Sequence, residues 1–152
     1  MYTERFMSYF DREVAQKAAK TIADGSEVEF RVSGPNEEVF TFTKSGGKNT
    51  IRAGAALDPQ VVFTLPQQAA NEILADTSGE IGEIGVNIAK LIVTSDANRR
   101  VSFKLKTGFL TLFSKGYFGV VTAGGAAFAS YLASRGLNGI SGIKAAFKKM
   151  KE

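Results

Sequence analysis

The chain has no cysteine and no histidine, and these two absences remove most of the side chains that do chemistry near neutral pH. Without cysteine there is no disulfide, no thiolate nucleophile and no sulfur-ligated zinc, and nothing is learned of the redox compartment. Without histidine there is no Ser-His-Asp triad, no HExxH metalloprotease helix and no imidazole acid or base. An enzyme built on this chain would depend on carboxylates or lysine, and no pair of acids converges by spacing on an apolar face. The sequence therefore predicts no catalytic residue, no metal site and no cofactor. The first twenty residues, MYTERFMSYFDREVAQKAAK, mix acids and bases with scattered apolar residues and lack a continuous apolar run. No secretory leader is expected, and a cytoplasmic location is the default.

At 152 residues the chain is long enough to bury a core unaided and reads as one domain, 1–152. Its apolar weight falls between Val101 and Gly136. Val101, Phe103 and Leu105 alternate with Ser102, Lys104 and Lys106, the period of a half-buried strand. From Phe109 the spacing turns helical through Leu112, Phe113, Tyr117 and Val120, while Leu110, Phe118 and Val121 fill the opposite side. A helix apolar all round has to be buried. No charge occurs between Lys115 and Arg135, which raises the question of a membrane span. Gly116, Gly119, Gly124 and Gly125 lie inside that gap, each costing about 1 kcal/mol of helix propensity relative to alanine. A buried interior is the stronger reading, with Ala123 to Gly125 separating two helices.

Charge is divided as sharply as hydropathy. Residues 1–98 carry nine bases and fourteen acids, whereas residues 99–152 carry ten bases and the single acid Glu152. A basic, apolar half suits an anionic lipid surface, where each Lys or Arg contributes about 1 kcal/mol. The basic positions are not interleaved with a nucleic-acid-binding motif, so no nucleic-acid partner is expected.

Along the chain, residues 2–23 read as an amphipathic cover helix ending at Asp24-Gly25. Strands are predicted at Val28 to Val32, Val39 to Thr43 and Thr50 to Ala53, separated by glycine-bearing turns, with a fourth at Val61 to Leu65. Gly46-Gly47-Lys48-Asn49-Thr50 lacks phosphate-loop spacing and has hairpin flanks, so it reads as a turn. Pro66 opens a helix to about Ala75. A second helix runs from Ile81 to Thr94, its Gly79, Gly82 and Gly85 belonging to close packing rather than to a dinucleotide fingerprint. Beyond the Val101 strand and the apolar helices, a Gly/Ala-rich and basic extension covers about residues 122–152. Ile143, Phe147 and Met150 share one face of its terminal helix.

This order, with Ala56-Leu57-Asp58-Pro59-Gln60-Val61-Val62-Phe63-Thr64-Leu65 leading directly into a helix and Val101-Ser102-Phe103-Lys104-Leu105-Lys106-Thr107-Gly108-Phe109-Leu110 running through glycine into an apolar helix, resembles the sterol carrier protein-2 (SCP2-like) domain family over roughly residues 20–121. The tryptophan often found on that family's second strand is absent, with Phe40 or Phe42 near its place. The resemblance implies an α+β fold, a five-stranded, mostly antiparallel sheet covered by helices and enclosing an apolar tunnel for a fatty acyl chain, sterol, isoprenoid quinone or similar lipid.

The expected function is therefore non-enzymatic lipid binding, with transfer or presentation of the lipid. The expected lining is Ile84, Ile88, Leu91 and Ile92 from the second helix, Phe103 and Leu105 from the last strand, and Phe109, Leu112, Phe113, Tyr117, Phe118 and Val121 beyond it. Tyr117, Lys115 and Thr122 are the candidates to meet a polar headgroup. Lys144, Lys148, Lys149 and Lys151 would face an anionic membrane. The alternative reading is an accessory module whose apolar helices dock on a membrane enzyme or on a second copy of the chain.

Overall fold

In strand β1 (Glu27–Ser33) Val28, Phe30 and Val32 alternate with Glu29 and Arg31, and successive side chains of a strand point to opposite faces. The computed structural model describes residues 1–123, apart from the side chains of Phe109, Val121 and Thr122. In it β1 is the middle of a five-stranded open mixed sheet, order β3-β2-β1-β4-β5. β2 (Glu38–Ser45) pairs antiparallel with β1, and β3 (Lys48–Ala53) antiparallel with β2. β4 (Val61–Pro66) runs parallel to β1, and β5 (Ser102–Leu105) antiparallel to β4. Gly46 and Gly47, at φ 58° and 78°, close the β2–β3 hairpin as a two-residue turn with both φ positive, the geometry that matches strand twist. The Gly-Gly-Lys-Asn-Thr segment is thus a hairpin tip.

Register gives the sheet one apolar and one polar face. Val28, Phe30, Val32, Phe40, Phe42, Ile51, Val61, Phe63, Leu65, Phe103 and Leu105 share the first; Glu29, Arg31, Thr41, Arg52, Thr64, Ser102 and Lys104 share the second. The parallel β1–β4 pair requires a crossover, and residues 54–60 supply its last leg across the polar face. They are held there by Ala56 N donating to Glu29 Oε1 (3.0 Å) and Asp58 N to Glu27 Oε1 (3.0 Å).

The expected cover helix 2–23 is two helices, α1 (Tyr2–Asp11) and α2 (Glu13–Ala18), broken at Arg12, whose backbone is extended (φ −61°, ψ 148°). Amphipathic spacing did not reveal the break because its partner comes from β3. Asn49 Nδ2 donates to Phe10 O (3.0 Å) and Ala15 O (3.1 Å), taking carbonyls on either side of the bend, while Arg12 Nη1 donates to Asp76 O (3.2 Å). α2 also stops earlier than expected. The buried Lys44 Nζ donates to Ala19 O (3.0 Å), a cation at a helix C-terminus, where the backbone dipole favours it.

Glu38, at the start of β2, fastens the other end of α1. Its carboxylate accepts from Tyr2 N (3.1 Å), Thr3 N (2.6 Å) and Thr3 Oγ1 (2.7 Å), satisfying donors that a helix N-terminus leaves open. Burial alone would raise this carboxyl, but the hydrogen bonds from Thr3 and Tyr2 outweigh it and hold the group at about 2, against an ordinary 4.5. The unfolded chain therefore binds the proton more readily. The stabilisation is complete above about pH 5 and is lost as pH falls from there through about 2. With the side chain 26% exposed, solvent screening leaves about 1–2 kcal/mol of it. Urea titrations of Glu38→Gln should show that loss at pH 7 and a flatter decline in stability between pH 5 and pH 3 than in the parent.

The remaining helices among the described residues are α3 (Gln67–Ala75), α4 (Ile81–Val93), α5 (Phe109–Ser114) and α6 (Tyr117–Thr122). The apolar helix expected to continue from Phe109 to about Val121 is broken at Gly116, which takes a left-handed conformation (φ 82°). Among the described residues no helix is long and apolar enough to cross a membrane. The second helix expected after Gly125 and the terminal basic helix lie outside the described residues.

Candidate functional site

The register sets four phenylalanines side by side on the apolar face, one from each of four adjacent strands. Phe40 stands 5.2 Å from Phe30, Phe30 5.3 Å from Phe63, and Phe63 5.6 Å from Phe103, between ring centroids. Strands lie about 4.8 Å apart, so rings at paired positions meet, stacked for Phe40–Phe30 and Phe30–Phe63 and tilted for Phe63–Phe103. α1 extends the array, Phe6 lying 5.0 Å from Phe40 and Phe10 5.7 Å from Phe30.

Burial divides this row. Phe40, beside α1, is 0% exposed, whereas Phe30, Phe63 and Phe103 are only partly buried, as is Leu105. β1 and β4 are interior strands, and their flanking residues Val32 and Leu65 are sealed. Among the described residues the middle of an interior strand's apolar face is incompletely covered, which is unusual because interiors normally pack to crystal-like density. Ile88 and Ile92 of α4 and Tyr117, Phe118 and Val120 of α6 join the edge of the same core and are likewise only partly buried. Among the described residues these partly buried side chains all pack against the one core cluster and make up its apolar seam.

Of the residues expected to line a tunnel, Ile88, Ile92, Phe103, Leu105, Tyr117 and Phe118 belong to this seam, and Ile84 is half-buried on α4. Leu91 and Leu112 are sealed in the core, where they support the fold. Phe113 is turned outward, 53% exposed, with its ring 6.0 Å from Phe118. The side chains of Phe109 and Val121, and Lys144, Lys148, Lys149 and Lys151, lie outside the described residues. Sequence reasoning did not place Phe30 and Phe63 in the site. The available signal was a phenylalanine inside four of the five strands, β3 lacking one, but only the pairing register shows that they align.

At one end of the seam Tyr117 Oη donates to Gln60 Oε1 (2.9 Å). Gln60 is itself buried and fixed, accepting from Glu27 N (2.7 Å) and donating to Asp58 O (3.1 Å). Burial pushes the Tyr117 phenol up to about 12; the neighbouring Ser26 hydroxyl works against that rise and the Glu27 carboxylate adds to it. The group stays neutral at physiological pH, with its proton engaged and its oxygen able to accept. Of the other headgroup candidates, Lys115 is fixed through its backbone, and the Thr122 side chain is outside the described residues.

The α5–α6 turn that carries Tyr117 and Phe118 is clamped to the segment after α2. Ala23 N donates to Lys115 O (2.8 Å) and Thr21 Oγ1 to Gly116 O (2.6 Å). A Cβ on Gly116 would overlap the Thr21 carbonyl, and one on Gly119 the Thr21 side chain. Glycine at these two positions is what allows the approach.

Among the described residues no group of three or more carboxylates is placed to hold a metal ion. Compared with protein-family models, with curated proteins and with solved structures, the chain matches none.

Proposed function

We propose that the chain is a non-enzymatic lipid-binding module that takes an acyl, sterol-like or isoprenoid ligand into the apolar seam beside β4 and β5, in the manner of the SCP2-like domains it resembles. The observation that carries this reading is the partly exposed Phe30–Phe63–Phe103 row, which runs from the interior strands β1 and β4 to the edge strand β5. Affinity comes from apolar burial, about 0.8 kcal/mol per methylene removed from water, so selectivity between chains of similar girth is loose. Tyr117 offers the ligand a neutral polar contact. Lys104, Lys106 and Lys115, with the basic residues beyond them in sequence, favour collection or delivery at an anionic membrane.

A fluorescent fatty acid titrated into the protein should bind saturably at one molecule per chain and be displaced by unlabelled fatty acid. Absence of saturable, displaceable binding would overturn the reading. One observation favours docking instead: Leu110, at 79% exposure, and Phe113 stand outward on α5. On that alternative, α5 seats on a membrane enzyme or a second copy, and Leu110→Ser abolishes the complex without changing probe binding.

A further inference from the structure

The polar face of the sheet carries a depression of about 730 Å³, walled by the 54–60 loop on one side and β5 on the other. That volume lies within the range of small-molecule sites, and it opens on the polar face, Phe103 of β5 being the one member of the phenylalanine row that also lines it. Its lining includes Glu29, Arg31, Asp58, Thr64, Lys104 and Lys106.

Register fixes how these groups face one another. Arg31 pairs across β4 through Thr64 to Ser102, and Glu29 through Val62 to Lys104. With strands about 4.8 Å apart, the Arg31 and Lys104 backbones stand on either side of a floor made by Val62 and Thr64, and side chains of their length reach over it from both sides.

The charges are only partly matched, Arg31 being the lining cation that forms ion pairs, with Glu29 and Glu37. Glu29 is 4% exposed and both its oxygens are committed, one to Arg31 Nε (2.7 Å) and one to Ala56 N (3.0 Å). Its charge is spent in holding Arg31 and the loop. Arg31 Nη1 reaches Glu37 (3.4 Å), which leaves Nη2 to donate. Neither Lys104 nor Lys106 takes part in an ion pair among the described residues. Two unpaired ammonium groups, a guanidinium edge and the Thr64 hydroxyl thus converge over an apolar patch at Val62. Asp58 on the rim is the lining carboxylate with no hydrogen bond of its own, and it would accept from a hydroxyl on the ligand.

We infer that this depression binds a small hydroxylated organic anion, its phosphate or carboxylate oxygens held by Lys104, Lys106 and Arg31 and its hydroxyl by Asp58. The inference concerns the polar face of the sheet and does not require a lipid on the apolar one, although Lys104 and Lys106 serve both readings. The same chemistry is offered by a free metabolite and by a glycerophospholipid headgroup.

Glycerol 3-phosphate should be titrated into the full chain at near-physiological ionic strength and followed by amide shifts, with glycerol and sodium chloride as controls. The expected result is saturable shifts confined to the amides of Arg31, Thr64 and Lys104, absent with either control, and at least tenfold weaker binding in the Lys104→Gln, Lys106→Gln double variant, whose exposed positions leave the fold intact. Thr64→Val tests the floor separately, with several-fold weaker binding expected. Shifts that sodium chloride reproduces or that are unchanged in the double variant, or the absence of saturable binding both to glycerol 3-phosphate and to phosphatidylglycerol vesicles, would overturn it. Phosphatidylglycerol vesicles distinguish the sources. Binding of free glycerol 3-phosphate assigns a soluble anion; binding only to vesicles, lost in the double variant and absent for phosphatidylcholine, assigns the headgroup.

Discussion

Replacing Gly116 with alanine should cost the protein several kcal/mol, about 3 or more, because two penalties fall on one methyl group. The first is the left-handed backbone (φ 82°), worth about 1–2 kcal/mol for a residue with a Cβ. The second is overlap with the Thr21 carbonyl. That atom belongs to backbone and cannot rotate away, so the α5–α6 turn must lift from segment 21–23 and give up the Lys115 and Gly116 carbonyl hydrogen bonds. Gly25 isolates the first penalty: its φ is 84°, and a Cβ there meets nothing within 4 Å. Gly25→Ala should therefore lose only about 1 kcal/mol. At about 2–4 °C per kcal/mol for a chain of this size, calorimetry should find Gly116→Ala melting about 10 °C below the parent and Gly25→Ala a few degrees below. Equal shifts would mean that the turn does not sit against Thr21. Because that turn carries Tyr117 and Phe118, Gly116→Ala should also weaken lipid uptake.

Phe103→Asp should abolish most lipid binding while leaving a folded protein. Phe103 ends the aromatic row on β5, a four-residue edge strand, and is only partly buried. Its loss withdraws one ring contact, to Phe63 at 5.6 Å, without opening the sealed core around Phe40 and Val32. A carboxylate there must either keep its water, and so exclude an acyl chain from that end of the seam, or lose it at a cost of several kcal/mol. Either way we expect at least a tenfold loss of affinity, equivalent to about 1.4 kcal/mol. Phe103→Leu keeps the surface apolar and should bind within a few-fold of the parent. If both variants bind the probe like the parent, the seam is not the site.

What could be read from the sequence, and what could not, divides along the range of the interactions. The five strands and the helices α3 and α4 are local events, written in alternation at Val28 to Val32 and Val61 to Leu65 and in the spacing of Ile81, Ile84, Ile88 and Leu91. They fall close to where the patterns put them. The breaks at Arg12 and Gly116 are not local. Each involves a distant partner, Asn49 in the first case and Thr21 in the second; the helical periodicity passes through both, and only the glycine at 116 marks the second locally. The site shows the same division. Ile88, Ile92, Phe103 and Phe118 were accessible as apolar residues in excess of one helix face or strand face. Phe30 and Phe63 looked like ordinary strand residues until pairing aligned them. Phe113 carries as much apolar surface as Phe118, and only the tertiary arrangement turns one outward and the other toward the core. The polar face was still less visible. Lys104 and Lys106 read as the wet side of a strand, and their convergence with Arg31 is a consequence of the parallel β1–β4 pair.

The central claim is that the partly covered phenylalanine row receives a lipid. Its most direct test is native purification from a bacterial host, denaturing solvent extraction and mass spectrometry of the extract, with the Phe103→Asp protein prepared alongside. A single lipid class recovered near one molecule per chain from the parent, and strongly depleted in Phe103→Asp, is the predicted result. A parent protein that is folded and monomeric, yields no lipid and takes up none when offered would contradict it.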